Sequence, residues 1–247
     1  MKTTSGNPAF ARDMFAHMDW AATRSTSMTI TGTVGKTALL LAILTAVAGV
    51  TWTQAANHTL SPILLFGSAI GGTILAFVTI FKPTVAPYTA PFYAALEGAF
   101  LGAISSLIEK RYPGIAMQAV GLTFGTLAMM LFLYGTRIIQ VTQRLAMGIV
   151  AATGAIALVY FVSILVTMFG YSVPFIHGAT PLGIGFSLFV VGLAAFNLLL
   201  DFDFIERGAA SAAPKWMEWY GAFGLMVTLI WLYLEIIRLL SKLRSRN

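Results

Sequence analysis

The chain has 247 residues, 58% of them apolar and only 10% charged, with a mean hydropathy of +0.84 and a net charge of +6. An ordinary soluble domain carries about 25% charge, so these few charges cannot cover a water-soluble globule of this size, and disordered chains are polar rather than apolar. The absence of cysteine removes disulfides, thiolate metal sites and cysteine nucleophiles together.

Residues 1–35 form a polar head rich in Gly, Ser and Thr, with no continuous apolar core of the signal-peptide kind. Seven apolar stretches follow, at 36–54, 62–81, 88–108, 114–134, 145–169, 182–203 and 216–240, with a basic tail at 241–247. A spanning helix needs ~20 apolar residues. The breaks between stretches carry turn chemistry: Asn57-His58, Lys82-Pro83 with Pro87, Tyr112-Pro113-Gly114, Gly135-Thr136-Arg137, Gly170 with Pro174, and Ala213-Pro214. The fold class is therefore all-α, a polytopic integral membrane protein with one seven-helix domain at 36–240. A barrel would alternate apolar and polar residues along its strands.

Basic residues orient such a chain. The side shared by the head and the even-numbered loops holds nine Lys and Arg, and the other side six, four of which lie at the C-terminal end. This places the N-terminus in the cytoplasm, although the basic tail conflicts with a simple seventh crossing. The charges are too scattered for a nucleic-acid groove. Gly67-x-x-x-Gly71, Gly98-x-x-x-Gly102 and Gly121-x-x-x-Gly125 have the spacing that lets helices approach closely in lipid.

Ionisable groups inside the spans are few. Glu97 lies in the middle of span three, Asp201 and Asp203 at the end of span six, and Glu235 with Arg238 in span seven. A charged side chain at mid-membrane costs about 2.5–3.5 kcal/mol on insertion scales, so it faces the bundle interior and marks a pathway or relay. Helical spacing back from Glu235 gives Trp231, Thr228 and Gly224, a mixed small and polar face. Arg238, at i+3, is placed for a local ion pair with Glu235, and as an intramembrane charge it is also a candidate relay or pore residue. Asp201 and Asp203 lie about 200° apart around a helix. Asp201 continues a small, polar stripe of Asn197, Ala194, Ser187 and Gly183, whereas Asp203 continues an apolar one. Periodicity thus selects Asp201 as the inward acid, and leaves Asp203 to pair with Arg207 at i+4. Asp201, Asp203 and Glu206 together offer oxygens for transient Ca²⁺ binding. Glu97, with Tyr93 at i−4 beside it, reads as a relay or pore acid.

Enzymatic readings fail. No His-Glu-x-x-His zinc motif exists. His17, His58 and His177 lie outside the spans, so a serine such as Ser187 has no histidine base. No phosphate-cradling loop or flavin motif appears, and no resident cofactor is expected.

Four elements resemble the Bax inhibitor-1 family, the YccA-like or TMBIM group, in its bacterial branch. They are the head with Asn7-Pro8-Ala9-Phe10 and Met28–Lys36, the Glu97-Gly98 element, Leu200-Asp201-Phe202-Asp203-Phe204-Ile205-Glu206, and Leu232-Tyr233-Leu234-Glu235-Ile236-Ile237. Their order and spacing cover nearly the whole chain. The resemblance implies a central seventh helix wrapped by six others, in a bacterial inner membrane. It implies a pH-gated calcium leak, in which one acid from span six and one from span seven share a proton and hold the pore closed. Matched to this sequence, those acids are Asp203, which follows Phe202, and Glu235. Two carboxyls in contact cannot easily both ionise, so such a pair titrates as a unit. Two alternatives stand beside it: a membrane protein that regulates a protease or stress-response complex, and a proton-coupled transporter built on Glu97.

Overall fold

The computed structural model describes residues 26–57, 59–170 and 178–246. Asn7–Phe10, Pro174 and the three histidines lie outside the described residues. Seven α-helices follow in order: α1 (Ile30–Ala56), α2 (Pro62–Phe81), α3 (Ala86–Arg111), α4 (Ile115–Gly135), α5 (Gln143–Met168), α6 (Pro181–Ala210) and α7 (Met217–Arg246). All seven are long and apolar enough to cross a membrane. The chain is an integral membrane protein with a lipid bilayer as its solvent.

Local chemistry sets the helix starts. The side chains of Thr29, Thr142 and Thr180 cap α1, α5 and α6, each accepting a backbone N–H three residues on. Pro62 and Pro181 occupy first-turn positions, where a missing N–H costs nothing. Gly114, with φ of 84°, turns the chain from α3 into α4 in the left-handed region that favours glycine. Glu109, near the end of α3, reaches over that turn and accepts from the Ala116 N–H at 3.0 Å.

Large apolar side chains face outward. Ile63, Phe66, Phe81, Met117, Phe132, Phe161 and Phe189 are all exposed, as lipid rather than water requires. The interior is built around α7, which packs against α1, α3, α4 and α6. Its Met226 and Leu232 are fully buried. The central position implied by the resemblance is thus the one observed.

Only one of the three glycine pairs makes a close crossing. Gly98 and Gly102 of α3 lie against the backbone of α1 at Leu44 and Ala48, where a Cβ would clash. Gly121 and Gly125 face open space, and so does Gly67.

α6 and α7 form an antiparallel hairpin whose turn contains Pro214. The segment before α1 is tied to this turn: Met28 N–H donates to Ala213 O at 2.6 Å, and Lys215 N–H to Thr26 O at 3.0 Å. The hairpin register is fixed at three levels. Ile205 packs against Gly221, Asp201 lies beside Gly224, and Ser187 meets Lys242. Each step back along α6 is therefore one step forward along α7.

Candidate functional site

The two polar stripes expected from periodicity face each other across this hairpin. Near one end Asp201 engages the Thr228 hydroxyl. Further along, Asn197 Nδ2 donates to Thr153 Oγ1 of α5 at 2.9 Å. Next comes Glu235, whose Oε1 accepts from the Tyr160 hydroxyl at 2.9 Å and from Arg238 Nη1 at 2.6 Å. Arg238 also donates to the Tyr160 oxygen at 2.7 Å and lies over its ring. At the far end Lys242 Nζ donates to Ser187 Oγ at 2.8 Å and to Gly183 O at 3.0 Å. The result is a polar seam between α7 and the α5–α6 face, running most of the length of the hairpin.

Two carboxylate oxygens on the seam lack a partner. Asp201 Oδ2 and Glu235 Oε2 are buried and accept no hydrogen bond. A buried polar atom without a partner carries a desolvation cost, and a proton or a cation relieves it. The other polar atoms named on the seam are satisfied by neighbours.

The acid pair that the resemblance implied is not brought together. Asp203 turns away from α7 and forms an ion pair with Arg207 at i+4. From the register, Asp203 sits about eleven residues from the level of Glu235, roughly 16 Å along the helix axis at 1.5 Å per residue. Asp201 sits about nine residues away, roughly 13 Å. Asp201, the acid that periodicity selected, lies against α7, whereas Asp203, the acid of the Phe-Asp match, pairs with Arg207. The i,i+3 contact of Glu235 with Arg238 is present, and it places Arg238 on the seam. The three acids grouped as Ca²⁺ ligands diverge. Asp201 faces Thr228, Asp203 faces Arg207, and Glu206 is held by Tyr134 and Arg137 of the α4 end. Among the described residues no cluster of three or more acids or histidines has metal-binding geometry.

A family model described as Bax inhibitor 1 like matches residues 7–245. The chain belongs to the Bax inhibitor 1 like family. No curated protein and no solved structure matches it. Membership and the seven-span fold together define a Bax inhibitor-like membrane protein.

This family member also holds polar groups that composition concealed. Glu218, in the first turn of α7, is fully buried. It accepts from Thr29 N–H at 2.9 Å, Thr29 Oγ1 at 2.8 Å, Lys215 Nζ at 2.9 Å and Lys36 Nζ. It fastens the start of α1 to the hairpin turn. Lys242, counted in the basic tail, is buried inside α7. Both were hidden because hydropathy placed them at span ends. Their spacing offered a signal: Lys242 continues the Thr228, Glu235 and Arg238 face by one further turn. Glu97 lies apart from the seam, on α3, in a cavity against α2 and α7.

Proposed function

We propose that this protein is a pH-sensitive cation leak whose path follows the α6–α7 seam, with Asp201 and Glu235 as successive stations rather than a touching pair. The observation that carries the proposal is the pair of buried, unpartnered oxygens, Asp201 Oδ2 and Glu235 Oε2, on facing stripes of one hairpin. Protonated, Asp201 is neutral and offers no charge to a passing cation. Deprotonated, it presents hard oxygens of the kind Ca²⁺ takes as ligands, and Glu235 adds a second carboxylate along the path. Raising the pH therefore increases conduction.

Arg238 and Lys242 are the seam's own cations. Arg238 occupies one oxygen of Glu235, and Lys242 is withdrawn toward Gly183 and Ser187. In this scheme Arg238 competes with the permeant ion for Glu235 and restrains flow. Resemblance to the Bax inhibitor-1 family supports the choice of Ca²⁺ as the ion and of pH as the control.

The test is Ca²⁺ entry into dye-loaded liposomes containing the purified protein, measured across a pH series. Flux should rise with pH in the wild type. It should lose that dependence in Asp201→Asn, and flux should fall in Glu235→Gln. Absence of Ca²⁺ flux at every pH would overturn the proposal.

A further inference from the structure

The seam leaves Glu97 unused, and its surroundings have a chemistry of their own. Glu97 lies midway along α3, in a cavity of about 320 Å³ between α2, α3 and α7. Small-molecule sites begin at about 300 Å³. α2 packs far more on α3 than on α7, and Thr73, on the α2 side of the cavity, is exposed; exposed surface within a span faces lipid, so the cavity opens between α2 and α7. Gly72 of α2 makes room for the acid: a Cβ there would come within 2.8 Å of Glu97 Oε1.

Among the described residues the Glu97 carboxylate has no hydrogen bond and no ion pair. No cationic side chain lines the cavity. The Thr73 hydroxyl is already committed to Ala69 O at 2.8 Å. The remaining walls are apolar or aromatic, with Tyr93 and Phe100 flanking the acid on α3 and Trp231 facing it from α7. The cavity thus offers one negative charge, three aromatic rings and an opening to the bilayer. A small hard cation does not suit it, because Ca²⁺ takes six to eight oxygen ligands and only a carboxylate and two hydroxyl side chains, Thr73 and Tyr93, line the cavity. A cation whose charge is spread over an apolar body does suit it, because aromatic faces attract ammonium groups and strengthen the attraction when desolvated.

We propose that this cavity binds a lipophilic organic cation of the quaternary ammonium class, which enters from the bilayer between α2 and α7. Glu97 supplies the countercharge, and Tyr93, Phe100 and Trp231 supply the aromatic walls. The site is independent of the Ca²⁺ path along the seam.

The probe is benzyltrimethylammonium, which has no proton to lose. Its binding to the full chain in zwitterionic nanodiscs is measured by equilibrium dialysis against empty nanodiscs. The expected result is saturable binding of one cation per chain, with no competition from the neutral isostere neopentylbenzene. Glu97→Gln should weaken binding by about tenfold or more, as loss of one partner of a desolvated charge pair does. Thr73→Trp, which fills the cavity mouth and leaves the acid in place, should abolish binding. It serves as the test if Glu97→Gln fails to fold. No saturable binding, equal competition by the neutral isostere, affinity in Glu97→Gln within about twofold of wild type, or retained binding in Thr73→Trp would each overturn the proposal.

Discussion

The register of the α6–α7 hairpin decides which acids can act together, and the absence of native cysteine makes it directly measurable. A disulfide needs Cα atoms within about 7 Å. Asp201 lies beside Gly224, with its Oδ1 3.9 Å from the position of a Gly224 Cβ. The double variant Asp201→Cys, Gly224→Cys therefore places two thiols within bridging distance. Asp203 and Glu235 are separated by about eleven residues along the axis, roughly 16 Å, more than twice what a disulfide tolerates. The variant Asp203→Cys, Glu235→Cys should not bridge. Oxidative cross-linking in membranes, followed by protease cleavage in the 211–216 turn, reads the outcome as two fragments held together or released. Efficient cross-linking of the 203/235 pair, with none for 201/224, would refute the register and restore the contact pair.

Glu218→Ala should destabilise the fold by about 2 kcal/mol or more, because Thr29, Lys36 and Lys215 lose a shared, charged hydrogen-bond acceptor; the loss appears as a lower midpoint in thermal aggregation assays. The double change Lys36→Met, Glu218→Met should cost less than the single Glu218→Ala, because it fills the site with apolar side chains and leaves only the more exposed Lys215 without its partner. Gly98→Val should prevent the α1–α3 crossing and sharply reduce the yield of folded protein, whereas Gly121→Val, facing open space, should leave the yield unchanged. Arg238→Gln should raise Ca²⁺ flux at a fixed pH, since it removes the cation paired with Glu235 and leaves the Tyr160 hydroxyl as the partner of Oε1.

Much of the fold was legible because lipid imposes a simple rule: about 20 apolar residues per crossing. Hydropathy detects the membrane rather than the helix, and this explains the errors at the ends. α1 begins at Ile30 rather than 36, α6 runs to Ala210 rather than 203, and α7 to Arg246 rather than 240. Each extension is polar or charged helix continuing past the apolar run. Span ends also hid Glu218, in the first turn of the seventh stretch, and Lys242, just past its end, both of which are buried. The seam acids were legible by a different route. Asp201 shares a face with Asn197, Ser187 and Gly183, and Glu235 with Thr228 and Gly224; helical spacing alone exposes both stripes. What spacing on single helices cannot supply is the offset between them. That offset depends on where the turn falls, and the Pro214 turn leaves Asp203 too far from Glu235. The partners from α5, Tyr160 and Thr153, carry no sequence signal either, since one hydroxyl in an apolar span is ordinary.

Asp201 is the acid that faces α7, and Asp203 is the i,i+4 partner of Arg207. Ca²⁺ flux into liposomes, measured against pH for Asp201→Asn and Asp203→Asn side by side, separates the two. The seam predicts that Asp201→Asn loses the rise of flux with pH and that Asp203→Asn keeps it. Loss in Asp203→Asn with a wild-type profile in Asp201→Asn would contradict it.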